Sequence, residues 1–372
     1  MALVVGLALV FGVGLFLWLR SGGPDASPTR PNGPGMGVGV AVHIADQVCA
    51  ECHPGEAALH ARSGHSQTLR PAYLAPIAKQ LDGKTFPDPD EPDATWTYRL
   101  VDDRFEVERR EEDRTWRLPI DYAFGSDHHA TTFVTLQHGP GGAHALFEHR
   151  LTHFGSTKRM GLTPGQEATS KLPARGPLGR QGDPVEASHC FACHATRTSP
   201  RGRRDLDPAG LVPSISCESC HGPGGAHVDA ARAGARDHAV TLELRPGRHK
   251  AETQMRVCGT CHRHPDMSPT GAIRPDNIDI VRFQPVGLMQ SKCYQESAGA
   301  LSCVTCHDPH ARTSAEMTTY EQACLKCHGG TVQSTCRVST REGCVKCHMP
   351  AVEAIPGTFF TDHWVRKRGA GP

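Results

Sequence analysis

Apolar residues run without a break from Ala2 to Leu19 and stop at Arg20. That run reaches bilayer length and exceeds the usual apolar stretch of a signal peptide, so residues 1–20 are expected to be a membrane anchor, with a cleaved signal as the alternative. No basic segment precedes the run and no small-x-small cleavage site follows it, which favours the anchor. Residues 21–45 are rich in Gly and Pro without periodicity and read as a flexible tether.

Further along, the pattern changes to period two. Trp96, Tyr98 and Leu100 alternate with polar positions, Phe105 and Val107 continue the alternation, and it returns from Thr131 to Phe154. Asp102-Asp103 and Gly139-Pro140-Gly141-Gly142 interrupt it. Alternation rich in aromatic and β-branched residues predicts strands, and the breaks predict turns, so a small antiparallel β insertion is expected at about 94–156.

Composition adds a difficulty for the core. Of 372 residues only 38% are hydrophobic and 6% aromatic, thin for a chain of this length. Something other than side chains is expected to fill part of the interior. The net charge of +1 carries no field that would select nucleic acid as a partner. The distinctive counts are 16 Cys and 23 His.

Fourteen of those cysteines fall in seven Cys-x-x-Cys-His motifs: Cys49/Cys52/His53, Cys190/Cys193/His194, Cys217/Cys220/His221, Cys258/Cys261/His262, Cys303/Cys306/His307, Cys324/Cys327/His328 and Cys344/Cys347/His348. A shuffled chain of this composition would hold roughly 0.04 copies. Two thiols three positions apart reach the two vinyl groups on one porphyrin edge, and the adjoining His swings under the ring to the iron. Zinc knuckles would not need His after every second Cys, and disulfides would not need His at all. Seven covalently bound haem c groups are therefore expected, with His53, His194, His221, His262, His307, His328 and His348 as proximal iron ligands.

Seven haems leave about 53 residues each, too few for separate domains, so they must share one core over residues 46–366 and lie close together. The expected fold is a multihaem cytochrome c, mainly short α-helices and loops wrapped on the haems, with the small antiparallel β insertion and a basic tail at 367–372. From Cys190 the motif starts are spaced by 27, 41, 45, 21 and 20 residues, which suits such wrapping.

A haem that cycles between ferrous and ferric without binding substrate needs its sixth position filled, most simply by another His. His227 closes Cys-His-Gly-Pro-Gly-Gly-Ala-His, whose glycines let the backbone turn tightly, and His310 closes Cys-His-Asp-Pro-His, stiffened by Pro309. His65, His129 and His363 are further candidates, with Asp127 and Asp362 placed to orient the last two rings. His43 and His249 are chosen for the remaining two sites because each precedes a motif closely. Met255, Met267 and Met289 read as gap-filling residues rather than sulfur ligands. Cys293 and Cys336 stand outside the motifs, as a disulfide or as two separate thiols.

The phrases CESCHGPGGAH (Cys217 to His227), SKCYQESAGALSCVTCHDPH (Ser291 to His310), CVKCHMP (Cys344 to Pro350) and TDHWVR (Thr361 to Arg366) resemble the cytochrome c-554-like multihaem family. The resemblance covers about residues 46 to 366 and is strongest to the branch often fused to tetratricopeptide repeats. It implies His129 rather than His128 as a ligand and places His65 at a distal position. This chain differs in having Asp127 where that branch has Gly, and in carrying no repeat segment after the haem motifs, so no built-in partner-binding arm is expected.

The function expected is electron transfer, between redox proteins or a quinol-linked donor and an acceptor, on the periplasmic side of the cytoplasmic membrane or further outside. The alternative is an oxidoreductase that keeps one iron open for a small nitrogen or sulfur compound. Every motif ends in His rather than Lys, which speaks against a nitrite-reductase type of site.

Overall fold

The computed structural model describes residues 42–139, 142–167, 175–199, 206–236, 250–329, 336, 338–339, 342–355 and 357–367. The apolar run, most of the tether and His249 lie outside the described residues. Among the described residues no helix is long and apolar enough to cross a membrane.

The chain enters through α1 (Asp46–Ala50) and α2 (Pro54–His60), then turns into β structure at β1 (Leu69–Pro71). After α3 (Pro76–Leu81), a meander of β2 (Thr85–Pro87), β3 (Ala94–Val101), β4 (Arg104–Glu111) and β5 (Arg114–Ile120) forms a four-stranded antiparallel sheet in sequential order. Its tight turns put Asp102 and Glu112 at φ of 52° and 48°, the left-handed region that two-residue hairpins require. The alternation has the expected consequence: Trp96, Tyr98, Phe105 and Val107 are buried, and Ile77, Ala78 and Leu81 of α3 pack on them.

A second sheet holds β6 (Tyr122–Phe124), β7 (Ala130–His138), β8 (His144–Phe154), β9 (Arg159–Leu162), β10 (Arg175–Gly176) and β11 (Gly179–Gln181), ordered β1-β6-β7-β8-β11-β10 with β9 also paired to β8. The strands thus reach from Leu69 to Gln181, beyond the expected 94–156 on both sides. Strands of two to four residues are too short to display a period, so the flanking ones left no pattern to read.

Two buried charges brace these sheets. Arg150 donates to Asp88 at 2.6 and 3.0 Å, and the Trp96 indole N–H donates to the same carboxylate at 3.0 Å. Arg109 lies between the Trp96 and Trp116 rings, 5.6 and 5.3 Å from their centroids, and pairs with Glu91 and Glu111.

A smaller apolar cluster joins the second sheet to the haem-motif region. Leu69, Val134 and Leu146 pack with Ala187, Phe191 and Ala195, the first two of these last three belonging to α4 (Pro184–His194), which carries the second motif. Beyond it come the two-stranded pair β12 (Ala195–Arg197) and β13 (Val212–Pro213), then α5 (Glu218–His221), α6 (Gly225–Arg232), α7 (Ala251–His262), α8 (Gln284–Gln290), α9 (Lys292–Gln295), α10 (Met317–His328) and α11 (Cys344–His348), and the hairpin β14 (Ala351–Ile355) with β15 (Thr358–Thr361). Few apolar side chains are buried there: Met255, Ile280, Val281, Val286 and Val345 are the main ones. A region so poor in its own core fits one that packs around apolar prosthetic groups.

Candidate haem sites

Each motif is built on one helical turn. In the first, third and fifth motifs the His N–H donates to the carbonyl of the leading Cys at 2.9 to 3.0 Å, and the N–H of the second Cys (Cys52, Cys220 and Cys306) reaches that same carbonyl at 3.2 Å. In the seventh, Cys347 N–H donates one residue further back, to the Gly343 carbonyl at 3.2 Å. Positions i, i+3 and i+4 of a helical turn share one face, so both sulfurs and the imidazole are offered together. Helices α4, α5, α7, α10 and α11 all end on their motif His.

Four motif histidines face a second His brought from elsewhere in the chain. His53 faces His227 at a centroid separation of 6.4 Å, His65 meets His262 at 6.1 Å, His221 meets His310 at 6.2 Å and His307 meets His363 at 6.2 Å. Two imidazoles on opposite sides of one metal, each with a bond of about 2.0 Å and about 1.1 Å from nitrogen to ring centre, have centroids roughly 6.2 Å apart. The four pairs match that separation, so these residues fit a haem iron between them.

Hydrogen bonds to Nδ1 fix several of these rings, leaving Nε2 for a metal. His194 donates to the Thr68 carbonyl at 3.1 Å, His348 to the Arg366 carbonyl at 3.1 Å, His363 to the Thr361 carbonyl at 2.8 Å and His262 to Gln284 Oε1 at 3.2 Å. His65 is aimed by the Pro309 carbonyl at 3.4 Å. Burial holds His194, His262 and His307 below the ordinary imidazole range and pulls His363 down to about 4, so all four are neutral at pH 7 and carry a lone pair. Sequence reasoning missed these backbone acceptors, because a carbonyl carries no residue-type signal.

The other candidates have different surroundings. His129 packs on Phe360 at 6.1 Å and on His128 at 4.6 Å. Asp127 does not orient that ring: it accepts from the Thr131 hydroxyl at 2.5 Å and sits at φ 62°, a conformation in which Asp stands in for Gly. Asp362 likewise serves the backbone and Arg366, accepting from Trp364 N–H at 2.8 Å and pairing with the guanidinium at 3.2 Å. His43 donates through Nδ1 to Glu218 at 2.8 Å. His328 is exposed at the end of α10. Beside His194 lies Phe124, with ring centroids 5.0 Å apart.

The leading thiols fall into neighbouring groups. The Cys49 and Cys217 thiols are close enough to act on each other's titration, as are those of Cys258 and Cys303, so the first motif adjoins the third and the fourth adjoins the fifth. Burial pushes the Cys190 and Cys324 thiols up to about 11.

The second cysteines of the motifs differ in exposure, a contrast that the motif spacing does not reveal. Cys52, Cys327 and Cys347 are exposed, whereas Cys193, Cys220, Cys261 and Cys306 are half-buried. Among the described residues no group of three or more His, Cys, Asp or Glu is arranged to hold a metal ion directly. The helical turn sets each second cysteine beside its leading Cys and its His, which is the arrangement that the expected thioether role calls for. A sulfur destined for a bond to a porphyrin edge needs access to that edge rather than a partner within the protein.

Met255 is fully buried with its sulfur 3.4 Å from Cys303 Sγ, a packing role. Outside the motifs, Cys293 is half-buried and Cys336 exposed, and both are free thiols.

Residues 155–222 match the family described as cytochrome c554 and c-prime, and residues 297–333 match the doubled CXXCH motif. The chain is 26% identical to the multiheme cytochrome MtrA of Shewanella baltica (strain OS185), over 50% of this chain and 59% of that protein's length. Among solved structures it is similar to the outer cell wall cytochrome OcwA, with a TM-score of 0.46 and 14% identity over 87% of this chain and 79% of the other. Haem c binding follows from the motifs and from the two family matches, and with it the conclusion that this chain is a multihaem c-type cytochrome.

Proposed function

We propose that the chain is an exported heptahaem electron carrier whose haems are mostly held between two histidines. The observation that carries this reading is the set of four His pairs at 6.1 to 6.4 Å, because filled axial positions suit a carrier and exclude substrate from those irons. On this reading His227 completes the first haem site, His310 the third, His65 the fourth and His363 the fifth. Each bound haem supplies a one-electron ferric/ferrous couple. The protein's part is to attach, ligate and space these groups, using fourteen motif thiols and rings locked by backbone carbonyls.

The spacing supports an ordered path. Thiol contacts join the first site to the third and the fourth to the fifth. Pro309, whose carbonyl aims His65 of the fourth site, directly precedes His310 of the third. Helices α10 and α11 pack together and carry the sixth and seventh motifs, while α4 of the second motif packs on α7 of the fourth. Cys306 of the fifth motif lies near enough to Cys324 of the sixth to act on its charge, so electrons would pass along first, third, fourth, fifth, sixth and seventh, with the second as a side branch. The donor and acceptor are redox proteins or quinol-linked partners, and residues 2–19 would hold the chain at the membrane.

A second reading is favoured at one site. Among the described residues the ring packed against His194 is that of Phe124 rather than an imidazole, which suits an open iron at the second motif and an oxidoreductase acting there on a small nitrogen or sulfur compound. Carbon monoxide added to the reduced holoprotein separates the two. Binding to no haem supports the carrier, prompt binding to one haem per chain supports the second reading, and prompt binding to two or more overturns the account of haems mostly held between two histidines.

A further inference from the structure

The residues after the last motif form a strap that touches two candidate haem sites. Thr361 closes β15 opposite Ala351, and Asp362 N–H donates to the Pro350 carbonyl at 3.0 Å, just beyond His348. The next residue, His363, faces His307 of the fifth motif. Three residues later, the Arg366 carbonyl receives the Nδ1–H of His348, the proximal histidine of the seventh.

Two features seat this strap. Ser291, fully buried at the end of α8, accepts the Val365 N–H at 2.8 Å and has its hydroxyl 3.2 Å from the His363 carbonyl. One turn earlier, a Cβ on Gly287 would stand 2.7 Å from Trp364 N and 2.9 Å from the His363 carbonyl carbon, so no side chain fits beneath the strap. Its far end is fixed by Arg366, whose guanidinium lies 4.9 Å over the Trp364 ring, pairs with Asp362 at 3.2 Å and donates to the Pro275 carbonyl at 3.0 Å.

We propose that the strap Thr361–Arg366 sets two axial ligands at once, His363 of the fifth haem and His348 of the seventh, with Ser291 as the positioning residue that seats it. The inference rests on the reading of His363 as the sixth ligand to the fifth haem. A rigid six-residue segment that carries one ligand and orients another cannot shift at one site without shifting at the other. Ser291 acts through the backbone of His363 and Val365, so its removal should leave attachment intact while altering the electronic state of both irons. The two sites would then respond to the strap as a unit.

The test uses holoprotein variants Ser291→Ala, Gly287→Ala and His363→Ala, read by haem content, electron paramagnetic resonance and potentiometric titration. The expected result for Ser291→Ala is full haem content with two of the low-spin signals and their midpoint potentials moved together. A lost packing contact alone would lower the melting temperature and leave every haem signal in place. Asp362→Asn, which keeps the side-chain volume, supplies the same readout should Ser291→Ala fail to mature. If His363→Ala opens one iron but Ser291→Ala, Gly287→Ala and Asp362→Asn move one signal or none, the proposal is overturned and the ligand reading stands. If His363→Ala leaves every iron closed, the ligand reading and the proposal fall together.

Discussion

The imidazole planes of His221 and His310 lie 2° from parallel with their centroids 6.2 Å apart. The His65 and His262 planes are separated by almost the same distance but cross at 76°. Parallel ligand planes split the two iron orbitals that receive ring π density, and crossed planes leave them nearly equal. Removing His310 should therefore delete a rhombic low-spin signal, and removing His65 should delete a strongly anisotropic one. Each His→Ala variant should gain one high-spin equivalent. A rhombic loss from His65→Ala would contradict the pairing.

His149 is buried in β8, hydrogen-bonded to the Thr135 hydroxyl at 2.7 Å, and burial pulls its pKa down to about 3. Between that value and its ordinary value the unfolded chain binds a proton that the folded chain refuses, so stability rises with pH across that window and this contribution is constant above it. Each pH unit below about 6.5 costs up to roughly 1.4 kcal/mol from this one group. Acid unfolding of His149→Gln should show a shallower slope between pH 4 and 6. An unchanged slope would mean the ring is not a buried neutral base.

Arg150→Met tests the ionic brace of the β region. The change leaves Asp88 fully buried with the Trp96 indole but without its cation, a loss of about 3–5 kcal/mol. The melting temperature should fall steeply while the haem spectrum of the folded protein stays the same.

Phe191→Ala tests the link between sheet and second motif. Phe191 is fully buried, with Tyr122 and Phe124 edge-on at 5.5 and 5.0 Å. Its truncation should cost about 3–5 kcal/mol and, unlike Arg150→Met, should alter the spectrum of one haem, because the same helix ends on His194. An unaltered spectrum would show that α4 keeps its place without the aromatic cluster.

The haem motifs were legible because thioether chemistry requires both sulfurs and the His within five consecutive residues. Distal candidates were legible as phrases but not as pairs, since His65 and His262, or His307 and His363, meet only through the fold. His43 shows the limit of proximity along the chain: it precedes Cys49 closely, yet its ring is hydrogen-bonded to Glu218. Long strands such as β3 and β4 announced themselves by alternation, whereas β1 and β11, three residues each, could not. The turn at Asp127 read as a departure from a glycine pattern, and its φ of 62° lies in the left-handed region that favours glycine.

Pyridine haemochrome absorbance against protein concentration, on the purified holoprotein, gives haems per polypeptide directly. Seven are expected, one for each Cys-x-x-Cys-His turn. A reproducible value well below seven would contradict that expectation, because at least one motif would then be an empty pair of thiols and the path through the array would be broken.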